Sequence, residues 1–346
     1  MKKQVFNRRK FLSTGSRATI GAVLLPDIRY RYTGAKEVAK GKRIGIIGLD
    51  TSHSGIFAKA FNEAAGEALL GFRVTAACAL GSRDIASALE NVPAVREEMK
   101  RMNIPIVDSI EELLDQTDVI LLETNDGRLH LEQAMPVFKA GKTVFIDKPV
   151  AASLSDAIKI FNAAEKYKVP VFSSSALRFM KSAQDVVNGS IGNVTGADTY
   201  SPATIEKTHP DLYWYGIHGI EILFAVMGKE CKEVRRVYTP DTDVVVGVWD
   251  NDRIGTFRGL RNAGKGRGFG GTAFGSEGIA TLGPFDGYDN MLAQIAKFFE
   301  TGIPPVSPSE TLKICAFIEA ADESKRNNGT PVLLGEMLQK ATTDHS

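Results

Sequence analysis

Cysteine is scarce in this chain and odd in number: Cys78, Cys231 and Cys315 lie far apart among 346 residues. No disulfide framework and no Cys-x-x-Cys redox or metal pair can be built from them. Net charge is nearly absent as well, with 42 Lys and Arg against 41 Asp and Glu. No stretch approaches the ~20 consecutive apolar residues of a membrane helix. Internal repeats and low-complexity segments are lacking, and 43% of the residues are hydrophobic. Collagen-like, disordered and disulfide-scaffold classes are therefore excluded, and the length favours two domains.

The small net charge is a cancellation. The first 43 residues hold twelve Lys or Arg and two acids, leaving 30 bases and 39 acids for the rest. Asn7-Arg8-Arg9-Lys10-Phe11-Leu12, followed by the modestly apolar Ala18 to Leu25 and then Pro26, resembles a twin-arginine export signal. Residues 1–41 are accordingly expected to form an export leader and linker. The expected partner is the twin-arginine export machinery, and the expected location is the periplasm or another exported compartment, with a cytoplasmic basic arm as the alternative. Because that route carries folded proteins, a soluble cofactor could travel inside the protein. The body is acidic, so nucleic acid is not an expected partner.

From Lys42 onward, short and nearly continuous apolar runs alternate with amphipathic stretches. Strands are expected at 43–48, 74–80, 104–107, 119–122 and 143–146. Helices are expected near 53–70, 84–102, 111–116 and 128–140. Such runs read as parallel strands covered on both faces. The repetition predicts an α/β Rossmann domain over 42–150, a doubly wound parallel sheet that binds its ligand at the carboxyl ends of the strands. Over 151–335 the pattern changes. Helices are predicted at 152–167 and 177–188, and strands at 169–172, 192–200, 233–238, 243–249, 254–260 and 277–282. Asp250-Asn251-Asp252 is predicted as a hairpin turn, and helices near 288–300 and 309–327 follow. This predicts an α+β domain with a large, mainly antiparallel, open-faced sheet.

Several ordered motifs then resemble the Gfo/Idh/MocA family (glucose-fructose oxidoreductase, inositol dehydrogenase and rhizopine-catabolism proteins). Ala140-Gly141-Lys142-Thr143-Val144-Phe145-Ile146-Asp147-Lys148-Pro149 matches its A-G-K-x-V-x-x-E-K-P segment, with Asp147 for Glu. Asp118-Val119-Ile120, Thr124-Asn125 and His130 resemble its fourth strand and the loop and helix beyond. Ser174-Ser175-Ala176-Leu177-Arg178-Phe179 and Tyr215-Gly216-Ile217-His218-Gly219-Ile220-Glu221 also have counterparts. The resemblance implies an NAD(P)-dependent oxidoreductase of sugars, polyols or related alcohols, and a homo-oligomer assembled through the second sheet. It implies Lys148 beside the nicotinamide and the reacting hydroxyl, and His218 as the proton-transfer residue. Removing a hydroxyl proton as hydride leaves carbon requires a base in reach, and a nearby ammonium stabilises the developing alkoxide.

The candidate cofactor contacts are Gly48, Leu49, Thr51, Ser52, Ser82, Arg83, Thr124, Asn125, His130, Asp147 and Lys148. The candidate substrate contacts are Arg178, His209, Trp214 and Tyr215. The glycine fingerprint departs from the family: the register of G-x-G-x-x-G reads Gly48-Leu49-Asp50-Thr51-Ser52-His53. Asp50 would face a pyrophosphate unless it turns away or caps a helix; Thr51 and Ser52 are equally good caps and could donate to phosphate. The second strand ends without the usual ribose-binding acid, and Ser82-Arg83 suits a 2′-phosphate, so NAD and NADP both stand. Trp214 occupies the place of an acid that often orients the catalytic histidine, and Glu221 is the expected substitute. His53, His130, His209, His218, Asp50 and Glu123 suggest a metal, but they lack ligand spacing and none is expected. Two alternatives accompany net oxidation: glycoside elimination or hydrolysis through transient oxidation with a retained cofactor, and a cofactor-free carbohydrate-binding protein.

Overall fold

The computed structural model describes residues 41–64, 68–262 and 268–343. The Arg8-Arg9 leader lies outside the described residues. The first sheet holds six parallel strands, β1 (Arg43–Ile47), β2 (Arg73–Cys78), β3 (Ile106–Val107), β4 (Val119–Leu122), β5 (Val144–Asp147) and β6 (Val171–Ser174), in the order β3-β2-β1-β4-β5-β6. Strands β4, β5 and β6 are buried at every position, as both-face coverage requires. Order reverses between β1 and β4, so the crevice outside their carboxyl ends is the natural ligand seat. This sheet draws its sixth strand from beyond residue 150, further along the chain than the expected division.

Helices start where their sequences place a hydroxyl. Ser109, Ser153 and Ser307 accept from the backbone N–H groups of Glu112, Asp156 and Glu310, three residues on. The helix expected at 84–102 is broken into Ala86–Leu89 and Val92–Arg101, because Pro93 can open a helix but not continue one.

The second sheet is mixed, in the order β12-β11-β7-β10-β9-β8-β13. Its strands are β7 (Val194–Pro202), β8 (Cys231–Tyr238), β9 (Thr242–Trp249), β10 (Ile254–Leu260), β11 (Gly270–Gly275), β12 (Ile279–Leu282) and β13 (Val332–Leu333). Every pairing is antiparallel except β7 with β10. The turn at 250–252 joins β9 to β10 as expected, with Asn251 and Asp252 at positive φ. Glycine-rich β11 carries too weak a pattern to be read from sequence, and the helix Leu334–Thr343, which buries Leu334, Met337 and Ala341, was not among the expected elements. Helices Ile217–Met227 and Pro308–Arg326 cover one face, where Trp249, Phe224, Phe257 and Phe317 form the core.

A helix from the C-terminal half, Asp289–Thr301, packs on the Rossmann side rather than on the second sheet. Its Met291, Leu292, Ile295, Phe298 and Phe299 share a cluster with Ile44, Ile46, Phe57 and Phe172. The Phe172 and Phe298 rings stand edge to face at 4.7 Å. This placement carries Tyr288, just before the helix, to the mouth of the crevice.

Among the described residues no helix is long and apolar enough to cross a membrane.

Candidate active site

A cavity of about 620 Å³ opens where the two sheets meet. Thr51, Ser52 and His53 line it from the start of helix Ser52–Glu63, Asn125 and Lys148 from beyond β4 and β5, and Trp214, Tyr215 and His218 from the second domain. Ser175, Phe269, Phe285 and Tyr288 complete the walls used below.

Gly48 has φ +95°, and a Cβ there would lie 2.4 Å from the backbone nitrogen of Thr124. Only glycine lets the β1 and β4 loops approach so closely. Thr51 caps the helix, its Oγ1 accepting from the His53 N–H. Asp50 does not cap. Its fully buried carboxylate accepts from the Ser82 N–H at 2.7 Å, the Ser82 hydroxyl at 2.7 Å and the Asn125 N–H at 3.0 Å. The charge therefore turns inward and ties the carboxyl ends of β1, β2 and β4 together. Asp50→Gly restores the second glycine of the G-x-G-x-x-G pattern yet is expected to lower stability by roughly 3 kcal/mol, because three donors lose a charged acceptor. It is also expected to weaken nucleotide binding; melting and fluorescence titration measure the two effects, and tighter binding would contradict this role.

Lys148 and His218 line the same cavity. His218 Nδ1 lies 2.7 Å from the Ser175 hydroxyl, leaving Nε2 as the ring's other nitrogen. Burial first, then the Lys148 charge, holds the imidazole well below its ordinary pKa, so it is neutral and able to accept a proton. Glu221 does not orient it. That carboxylate receives the Arg178 guanidinium at 2.7 Å, and Arg178 also meets Glu310 at 2.6 Å. Arg178 is thus a buried structural cation and not a cavity contact, which corrects its assignment to substrate. His209 is likewise outside the lining: its ring packs 4.9 Å from that of Trp214 and its Nε2 lies 3.5 Å from Asp126. It supports the Trp214 wall from behind.

Several expected cofactor contacts also have other duties. Leu49 is core. The Thr124 hydroxyl donates to Gln133, and His130 bridges the carbonyls of Thr124 and Val150. The Ser82 hydroxyl is spent on Asp50, while exposed Arg83 lies 3.7 Å from Glu132. Neither lines the cavity. Arg128 instead joins Asp84, beyond β2, to Asp126, beyond β4.

One cluster at the floor was not read as a cluster from sequence. His53 Nδ1 lies 2.8 Å from Asp147 Oδ2 and its Nε2 lies 3.1 Å from the Tyr288 hydroxyl. Glu123, at the end of β4, is fully buried beside them. Burial, reinforced by Asp147, pushes its carboxyl well above the usual carboxylate range. Burial and Asp147 also push the Tyr288 phenol up to about 12. Sequence reading names His53 and Glu123 among possible metal donors and Asp147 among cofactor contacts; that these three meet, and that Tyr288 joins them, no local spacing announces, because they come from separate segments.

Residues 42–175 match the family model described as GFO_IDH_MocA, oxidoreductase family, NAD-binding Rossmann fold. Scyllo-inositol dehydrogenase from Lactobacillus casei, solved with NAD(H) and scyllo-inositol, superposes with a TM-score of 0.68 at 15% identity, over 85% of this chain and 99% of that one. This is the two-domain Gfo/Idh/MocA fold. An oxidoreductase from Thermotoga maritima gives a TM-score of 0.67 at 19% identity, over 86% and 100% of the two chains. In sequence, an uncharacterized oxidoreductase of Streptococcus pneumoniae is 25% identical over 167 residues. That match takes in 46% of this chain and 44% of the relative, so the chain spans under half of that relative's length.

The cofactor of this Rossmann family is a nicotinamide dinucleotide. The crevice fits its central and nicotinamide portions: Gly48 keeps the loop close, Asp50 withdraws its charge, and Thr51, Ser52, Asn125 and Lys148 face the space.

Proposed function

We propose that the chain is an NAD(P)-dependent oxidoreductase acting on a sugar or sugar-derived alcohol. The observation carrying this reading is that Lys148 and neutral His218 line the same cavity as the N-terminus of helix Ser52–Glu63. When bound, the cofactor supplies a hydride acceptor. His218 takes the hydroxyl proton, with Ser175 fixing the ring, and Lys148 stabilises the alkoxide as it forms. Trp214, Tyr215, Phe269, Phe285 and Tyr288 give the cavity flat apolar walls of the kind that pack against the C–H faces of a sugar ring.

The Arg8-Arg9 motif of the basic leader supports a reading in which the enzyme is exported with its cofactor already enclosed, and the open face of the second sheet would join copies of the chain. Burial of His218 sets the pH dependence. Its proton-accepting form persists into mildly acid solution, so the acid limb of kcat/KM is expected below the ordinary histidine value of about 6.5.

The reading is tested by mixing purified protein with NAD or NADP and a panel of cyclic polyols, aldoses and glycosides, and following reduced nicotinamide and cleavage products. Reduction with at least one polyol or sugar is expected. Tight cofactor binding with product turnover but no net reduction would favour glycoside cleavage instead, and no nucleotide binding would remove both enzyme readings.

A further inference from the structure

The three residues at the cavity floor that depart from the family's motifs or meet those departures lie on separate segments: His53 in the place of the third glycine, Glu123 ending β4 and Asp147 ending β5. Their ligand atoms all fall within 4.8 Å of one another. Both Glu123 carboxylate oxygens and Oδ1 of Asp147 are buried without a hydrogen-bond partner. Two buried carboxyl groups side by side, with three oxygens unsatisfied, form an arrangement that burial penalises unless a proton or a cation joins them, and a cation bound by both satisfies all three at once.

We propose that His53, Glu123 and Asp147 bind one divalent first-row transition-metal ion, with zinc as its simplest representative. The His53 to Asp147 separation of 2.8 Å is close to the ~3 Å between neighbouring donors on an ion with bonds of about 2.1 Å. One imidazole and two carboxylates form a mixed nitrogen and oxygen set, which suits zinc, manganese or ferrous iron better than calcium. On binding, His53 Nδ1 exchanges its proton for the metal. Nε2–H then faces the Tyr288 hydroxyl, an outer partner that fixes the ring. Three protein donors leave coordination positions for a substrate oxygen on the cavity side, where Lys148 and His218 wait. That last role rests on the oxidoreductase reading; the binding of the ion does not.

The test uses the purified full-length protein, stripped with chelator, without nucleotide, and titrated with cobalt(II) as a spectroscopic stand-in for zinc. One equivalent is expected to bind with a visible d–d spectrum of low coordination number, and zinc should displace it. Glu123→Gln, which keeps the shape and relieves the buried charge, should fold with an equal or higher melting temperature and bind cobalt at least ~10-fold more weakly. His53→Phe should shift or abolish the spectrum. Absence of stoichiometric binding by the wild-type chain, or binding unchanged in both variants, would overturn the site. A chain that reduces nicotinamide but takes no cobalt refutes the metal while sparing the function; one that binds cobalt but no nucleotide does the reverse.

Discussion

His218→Ala is expected to lower kcat/KM for the preferred alcohol by roughly 10²–10⁴-fold, the range for a lost general base. The nicotinamide dissociation constant should stay within a few-fold, because the ring comes from the second domain whereas the proposed cofactor contacts Thr51, Ser52, Asn125 and Lys148 come from the first. Loss should fall mainly on kcat, since proton acceptance matters only as the alkoxide forms. Ser175→Ala offers a graded companion. It removes the hydroxyl 2.7 Å from Nδ1 and should cost less than the histidine itself, with the acid limb displaced. Steady-state kinetics over pH, with nucleotide affinity measured separately, checks both. A wild-type rate in His218→Ala would remove the residue from the chemistry.

Arg236→Met is expected to destabilise the second domain by about 3–5 kcal/mol, the cost of breaking a buried ionic network by removing one partner. Arg236 is 1% exposed, in β8. Its guanidinium meets Asp211 and Asp243 at 2.6 Å and Asp322 at 2.5 Å, while Arg261 and Lys325 share Asp211. These contacts clamp the sheet to helix Pro308–Arg326. Burial pushes the Asp322 carboxyl up to about 6, although Arg236 pulls it down. A carboxyl raised in the folded state favours folding less as pH rises toward that value. Without Arg236 it rises further, so the deficit should be larger near about pH 8 than near about pH 5. Denaturant unfolding at the two pH values measures this; equal deficits would mean the network is not electrostatically coupled.

The parallel sheet was legible because its strands are buried on both faces, so Ile44–Ile47, Val119–Leu122 and Val144–Ile146 each read as an unbroken apolar run. The proposed catalytic pair was legible for a different reason: Lys148 and His218 sit in motifs that resemble those of a known family. What escaped was long-range and polar. Arg178 looked like a ligand residue, yet its partners Glu221 and Glu310 lie 43 and 132 positions away, and no local pattern encodes such a triad. Asp50 read as a threat to phosphate binding, but a side chain's direction depends on donors at Ser82 and Asn125 that only the folded strand ends bring close. Tyr288 reached the cavity because an apolar helix chose the Rossmann face, a packing decision invisible to periodicity.

The most direct test follows the transferred hydrogen. The protein is mixed in a single turnover with NAD or NADP and a polyol or sugar deuterated at its carbinol carbons, and the nucleotide is recovered for mass spectrometry. Hydride transfer at the Lys148–His218 site predicts one deuterium in the reduced nicotinamide, with a rate that falls in Lys148→Met and His218→Ala. Nucleotide that remains oxidised and unlabelled with every substrate, on protein shown to be folded, would contradict it.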